Sequence, residues 1–282
     1  TPTRWFENPK QGSAIWTRHQ ITPVSNNESP LFADVDGDGK REFVFAINPD
    51  ASNPDGPQRQ MAILSEPDEA TNNWLAKSIS QTAAPGTTKY SHGLGVGDVN
   101  GDGRRDVLVK DGWWEAPEKA DQSPWEFHAQ NFGEDCSHIY VYDFDGDGDG
   151  DVLSASAHRY GVWWHEQKKN GEWIQHVIDD SFSQTHSVML ADINGDGVLD
   201  FVTGKRWWAH GGRDPGGNEP AVLYWFELQR RQGKANWIRH TIDQNSGVGT
   251  QFEVTDVNAD GLLDIVTSNK KGVFYFEQMK TP

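Results

Sequence analysis

Between clusters of Gly, Asp, Asn and Pro the apolar residues fall in short runs of strand length, and the runs recur in sets of four. The clearest set reads HSVMLADI, LDFVTGK, VLYWFEL and NWIRHTI, here designated strands a, b, c and d. Strand c carries an aromatic run in nearly every copy: Trp113-Trp114-Glu115, Trp163-Trp164, Tyr224-Trp225-Phe226-Glu227 and Phe274-Tyr275-Phe276-Glu277. Strand d carries the motif WxxH, as Trp16/His19, Trp125/His128, Trp173/His176 and Trp237/His240, with Trp74/Lys77 in the remaining copy. A spacing of three puts Trp and His on opposite faces of an outer strand, so these histidines are expected to serve packing and edge protection. A four-stranded unit repeated at this period predicts an all-β fold, a β-propeller of four-stranded antiparallel blades. Five repeats are recognisable, and residues 1–282 are expected to form a single propeller domain.

The repeat is permuted along the chain. It begins with a c-like strand, RWFENP, and a d strand, WTRHQI, and it ends on the c strand GVFYFEQ. The N-terminal d strand is therefore expected to complete the last blade and leave no free edge. That leaves RWFENP over, so a sixth or seventh blade is expected in sequence upstream. The first residues, TPTRWFENP, hold neither an initiator Met nor the apolar core of a signal peptide, so an upstream segment is expected to have been removed.

Composition agrees with many short strands and tight turns: 13 Trp and 13 Phe stand beside 29 Gly and 14 Pro. No run approaches the roughly 20 apolar residues of a membrane span. Cys136 is the lone cysteine and has no internal disulfide partner, so bound metal is the expected staple. The net charge of -17 is concentrated, because 18 of the 42 acids lie in five loops. Five bound divalent cations would reduce the imbalance to about -7, and duplex nucleic acid is not expected as a partner.

Those loops read DVDGDGKRE, DVNGDGRRD, DFDGDGDGD, DINGDGVLD and DVNADGLLD, spaced by 64, 45, 49 and 64 residues. Oxygen ligands are expected at positions 1, 3, 5 and 9, with a backbone carbonyl at position 7 and a left-handed Gly at position 6. The expected metal ligands are then Asp34, Asp36, Asp38, Lys40 and Glu42; Asp98, Asn100, Asp102, Arg104 and Asp106; Asp143, Asp145, Asp147, Asp149 and Asp151. The last two loops supply Asp192, Asn194, Asp196, Val198 and Asp200, and Asp256, Asn258, Asp260, Leu262 and Asp264. An oxygen-only set of this kind suits Ca²⁺, about one ion per loop. An EF-hand would need Glu at position 12, where Phe45, Val109, Ser154, Thr203 and Thr267 stand instead. Asp-Gly turns that bind nothing are the alternative for any single copy.

The five loops and their flanking strands resemble the FG-GAP or VCBS repeat, the calcium-binding propeller blade of integrin α chains and many secreted bacterial proteins. The resemblance covers nearly the whole chain and departs from the pattern at Ala259, where Gly is usual. It implies a secreted protein, extracellular or periplasmic, and leaves the activity open, because propellers serve adhesion, sugar binding and sugar lysis alike.

In an up-and-down meander the a–b turns lie on one face and the b–c and d–a connections on the other. Calcium is thus expected on one face and ligand contacts on the opposite one, where the long insertions 48–60, 81–91 and 205–221 fall. The b–c connections carry Lys110, His158-Arg159-Tyr160, Lys205-Arg206 and Lys270-Lys271, a predicted cationic rim, although solvated surface charge accounts for such residues singly. Six residues before each loop stand Glu28, His92, Ser137, His186 and Thr250, with His138 one place on, at the predicted channel mouth. These histidines could bind metal, act as acid and base, or simply pack.

Three functions stay open on the residues alone. In the first, a binding module grips a carbohydrate or other acidic ligand through His138, His158, Arg159, Trp207, Trp208, His210, Arg213 and Lys270. In the second, suggested by similarity to known propeller enzymes, a polysaccharide lyase or sugar dehydratase uses His92, His186, Lys205, Arg206 and Tyr160 as catalytic groups. The third is adhesion to a protein. No nucleophile elbow, phosphate loop or dinucleotide fingerprint occurs. The sequence does not specify the oligomeric state.

Overall fold

The computed structural model describes residues 3–10, 12, 15–22, 24–50, 52–67, 74–119, 122–134 and 138–280; Cys136 and Ser137 lie outside the described residues. The fold is all-β, a β-propeller built of four-stranded antiparallel blades. Among the described residues the one helical segment is a 3-10 turn, Ala209–Gly211, and no helix is long and apolar enough to cross a membrane. Chain contacts group the residues into two compact units, Thr1–Leu94 with Arg104–Gln130, and Gly95–Gly103 with Asn131–Pro282.

In the first unit β1 (Thr3–Glu7) pairs with β2 (Thr17–Thr22), and β3 (Leu31–Ala33), β4 (Glu42–Ile47), β5 (Gln60–Ser65) and β6 (Leu75–Ser78) form a meander in sequence order. Strand β7 (Gly95–Gly97) belongs to the second unit, while β8 (Asp106–Val109), β9 (Gly112–Glu115) and β10 (Glu126–Ala129) pair in the first. The second unit holds two complete meanders. One comprises β11 (Tyr140–Tyr142), β12 (Asp151–Ala155), β13 (Tyr160–Gln167) and β14 (Trp173–Ser183), the other β15 (Val188–Ala191), β16 (Asp200–Gly204), β17 (Leu223–Arg230) and β18 (Ala235–Asp243). A three-stranded sheet follows, of β19 (Phe252–Thr255), β20 (Asp264–Asn269) and β21 (Gly272–Phe276). The N-terminal d strand expected to complete that last sheet, β2, is hydrogen-bonded to β1 instead.

Sheet-on-sheet packing explains why the b strands read as nearly continuous apolar runs. Every residue of β12 and of β16 is buried, as in strands covered on both faces, whereas the d strand β18 is half exposed along its length. Phe144, Leu153, Trp164, Phe182, Phe201 and Phe226 interlock between the two complete meanders, and Val202, Leu223, Val248, Phe252 and Ile265 continue the core toward β19 and β20. Each such aromatic or aliphatic side chain stabilises the fold by about 1.5–3 kcal/mol through burial.

The d-strand histidines do have a packing role, but their partner is the c strand. His19, His128, His176 and His240 stand directly opposite Trp5, Trp113, Trp164 and Trp225 in the strand register. The rings stack with centroids 4.2 to 4.4 Å apart. Each Nε2 then meets the Glu two residues along the c strand, Glu7, Glu115, Glu166 or Glu227, at 3.1, 2.8, 2.8 and 2.7 Å. This Trp-His-Glu brace ties c to d in four sheets. In the β3–β6 sheet the opposed pair is Ile63 and Lys77, and there is no brace.

Candidate functional site

The acidic loops are built by their own carboxylates. In the loop joining β15 to β16, Asp192 accepts the N–H groups of Gly195, Asp196 and Gly197, and Asn194 accepts that of Asp196. Asp196 in turn accepts the N–H of Val198 at 2.8 Å. The same net recurs from Asp98 and Asp143, and Asp256 accepts the N–H groups of Asp260 and Gly261. Glycine is favoured at position 4 as well as position 6: φ is positive at both Gly195 (73°) and Gly197 (86°), and Ala259 adopts the same left-handed conformation at φ 63°, with strain. The ninth-position acid does something the sequence did not reveal. Asp200 accepts the N–H groups of Ile193 and Leu228, and Asp151 and Asp264 do the same for Phe144 and Gln167 and for Val257 and Gln278. It therefore bolts the loop to the end of strand c.

The carboxylates nevertheless converge on an oxygen-only cluster of the kind that suits a hard cation. One ligand oxygen from each of Asp34, Asp36 and Glu42, and likewise from Asp143, Asp145 and Asp151, lies within 4.8 Å of the others. Burial pushes the Asp151 carboxyl up to about 7, against the pull of its hydrogen bonds, and the charge of Asp145 adds to the rise. Glu42 and Asp145 are raised in the same direction, first by burial and then by neighbouring carboxylates.

At the other end of β16 the connection to β17 forms the second feature, and Lys205 organises it. Its side chain is wholly buried, and Nζ donates to Ser183 Oγ at 2.7 Å and to the Gly216 carbonyl at 2.6 Å. Turn bonds from Gly212 to Ala209, Gly217 to Asp214 and Glu219 to Gly216 fold the intervening loop on itself. A Cβ at Gly216 would meet Glu219, Ser183 and Tyr160 within 2.6 Å, so the close approach requires glycine. A cavity of about 350 Å³ opens beside this loop, lined by Arg206, Trp207, His210, Thr250, Asn269 and Lys270 among others. Lys270 Nζ donates to the Trp208 carbonyl at 2.8 Å, and Lys271 Nζ lies 4.8 Å over the Trp207 ring. Trp207 and Trp208 stand side by side with centroids 5.5 Å apart.

Beside the cavity His158, on the β12–β13 connection, approaches His210 and Asp214. His210 Nδ1 is 2.9 Å and His158 Nδ1 3.3 Å from Asp214 Oδ2, and the two rings stack at 5.0 Å. The second unit thus brings together Arg206, Trp207, His210 and Lys270 around the cavity and His158 at its flank. Other expected site residues have contacts of their own. Lys205 is buried in structural bonds, Tyr160 donates to Glu219 at 2.7 Å, Arg213 Nε donates to the His210 carbonyl, and Arg159 is exposed beside Glu134. His186 is wholly buried, with its ring edge-on to His158 at 6.0 Å. His138 is buried and desolvation lowers its pKa to about 4. In the first unit the buried His92 places Nε2 2.7 Å from Glu28, and Lys110 meets Asp111 at 3.2 Å. Asp214 and Glu219 escaped the sequence reading; the only trace of Asp214 was its place four residues after His210 in a Gly-rich loop.

Residues 143–203, which run from the third acidic loop through β16, match a known repeat family. They are similar to the FG-GAP-like repeat. The FG-GAP-like segment contains the cluster of Asp143, Asp145 and Asp151 and the whole net around Asp192, and the other three acidic loops repeat its sequence pattern. No curated protein matches the chain. Among solved structures, the V. cholerae biofilm matrix protein Bap1 is similar at 14% identity with a TM-score of 0.37, over 78% of this chain. The chain spans 30% of that protein's length.

Proposed function

We propose that this is a secreted, calcium-stabilised propeller that binds an acidic carbohydrate. The observation that carries the reading is the cavity of about 350 Å³ lined by Arg206, Trp207, His210 and Lys270. Its size is that of a small-ligand site, its indole offers a stacking face for a sugar ring, and its guanidinium and ammonium match carboxylates. Calcium belongs at the opposite end of the strands. In the FG-GAP-like repeat a divalent ion held by Asp143, Asp145 and Asp151 would offset the burial and carboxylate repulsion that raise Asp145 and Asp151. The residues fit such an ion: all donors are oxygens, and the left-handed turn is already formed.

The test is binding of the full chain, with calcium present, to soluble polyuronates and to neutral glucans of matched length. Arg206→Ala and Lys270→Ala should each weaken polyuronate binding about tenfold or more, the worth of one charge-assisted hydrogen bond. Equal affinity for charged and neutral polymers would sink the reading. Growth of ultraviolet absorbance from an unsaturated product would replace it with the lyase reading.

A further inference from the structure

We propose that His158, His210 and Asp214 form a site for one divalent transition-metal ion of the zinc class. One ligand atom from each lies within 4.8 Å of the other two. Two imidazole nitrogens and one carboxylate oxygen are a borderline donor set, unlike the all-oxygen sets of the acidic loops, and they select zinc-like ions over calcium. Spacing supports this. Metal–ligand bonds of about 2.0–2.1 Å in tetrahedral geometry hold ligand atoms roughly 3.3 Å apart. Asp214 Oδ2 stands 3.3 Å from His158 Nδ1 and 2.9 Å from His210 Nδ1, so small adjustments admit the ion.

Hydrogen bonding alone leaves the cluster inconsistent. His158 Nδ1 faces an acceptor, Asp214 Oδ2, and also a donor, Arg206 Nη2 at 3.5 Å. One ring nitrogen cannot be protonated for the carboxylate and bare for the guanidinium. A cation removes the conflict, because it takes the lone pairs of both Nδ1 atoms and of the carboxylate together, and the Arg206 contact is given up.

The site is also held in advance of any ion. His210 (φ 47°) and Trp208 (φ 58°) both adopt the left-handed conformation without being glycine, which costs on the order of 1 kcal/mol each and is tolerated where function demands it. The loop that bears them is pinned by the buried Lys205 and by the Gly217-to-Asp214 turn bond. The side chains of His158, His210 and Asp214 are 31%, 53% and 16% exposed, so an ion can enter from solvent and keep a coordination position open. None of this depends on the carbohydrate reading.

The experiment is calorimetric titration of the chelator-washed full chain with Zn²⁺ in excess Ca²⁺, alongside the visible spectrum of Co²⁺ as a geometric probe. One equivalent of Zn²⁺ should bind despite millimolar calcium, and Co²⁺ should give the intense absorption of a four-coordinate site. His210→Ala and His158→Ala should each lower Zn²⁺ affinity by about 100-fold, and Asp214→Asn by about tenfold or more. The calcium-dependent melting temperature of His210→Ala, a change at an exposed side chain, should match the parent and so report intact folding. A second candidate cluster, Glu115, Glu126 and His128, provides the contrast: His128→Ala should leave Zn²⁺ binding unchanged. The proposal is overturned by no saturable Zn²⁺ binding, by displacement with calcium, or by affinity lost in His128→Ala and kept in His210→Ala.

Discussion

The ammonium of Lys205, with no exposed surface, lies 2.6 Å from the carbonyl oxygen of Gly216, and this bond spans the base of the loop that bears Trp207, His210 and Asp214. Burial lowers the lysine pKa, while the charges of Glu219 and Asp214 oppose that shift. Lys205→Met keeps most of the volume but strands the Gly216 carbonyl and the Ser183 hydroxyl. A loss of about 3 kcal/mol in stability is expected. Amide exchange should quicken across residues 206–219, and unchanged exchange there would show that the loop is held by other means.

Ala259 is the one non-glycine at position 4 of the acidic loops, and it carries φ 63°. Ala259→Gly should relieve left-handed strain by more than it adds in unfolded-chain entropy, for a net gain of about 0.5–1 kcal/mol. Denaturant melts of the two proteins under identical calcium provide the comparison. A destabilised glycine variant would contradict the strain argument.

The Trp-His-Glu braces should register as pairwise coupling. In a double-mutant cycle between Trp225→Leu and His240→Ala, the stacked rings, 4.2 Å apart, should show a coupling energy of about 0.5–1.5 kcal/mol. His240→Phe should keep the stacking while losing the 2.7 Å bond to Glu227, and so fall between the parent and His240→Ala.

Acid should weaken the second unit through two buried imidazoles. Burial lowers the pKa of both His138 and His165 to about 4, and His165 Nε2 is paired with Ser154 Oγ at 2.9 Å. Unfolded, each titrates near 6.5, so between these values the unfolded chain binds a proton that the folded chain does not. Stability is therefore full above pH 6.5 and falls as pH drops toward 4, by about 2 kcal/mol per histidine between pH 7 and pH 5. Urea melts across that range should show a shallower slope for His165→Asn than for the parent.

Calcium removal should lower the melting temperature, because the carboxylates clustered in each loop then repel one another without a counter-ion. Asp143→Ala deletes the acceptor of three backbone N–H groups as well as a ligand, so it should destabilise the protein even in chelator. Asp145→Asn keeps the side chain's shape and its acceptor oxygen, and its defect should appear chiefly with calcium present. Identical melting with and without the ion, after verified metal loss, would remove calcium from the account of stability.

What the sequence determined is what the chain settles within a few residues of itself. Each acidic loop folds through bonds from Asp192, or its counterparts, to N–H groups no more than five residues on, so nine letters suffice to specify it. The strands beside it follow from their apolar runs. The strand register decided the rest. It set His240 against Trp225 rather than leaving it as an edge residue, and it paired β2 with β1. Packing between neighbouring sheets likewise buried Lys205, which reads as a free surface cation, and carried His158 to Asp214 across 56 residues of chain. These outcomes turn on which sheet faces cover one another, a property of the whole assembly of strands that no local pattern of residues encodes.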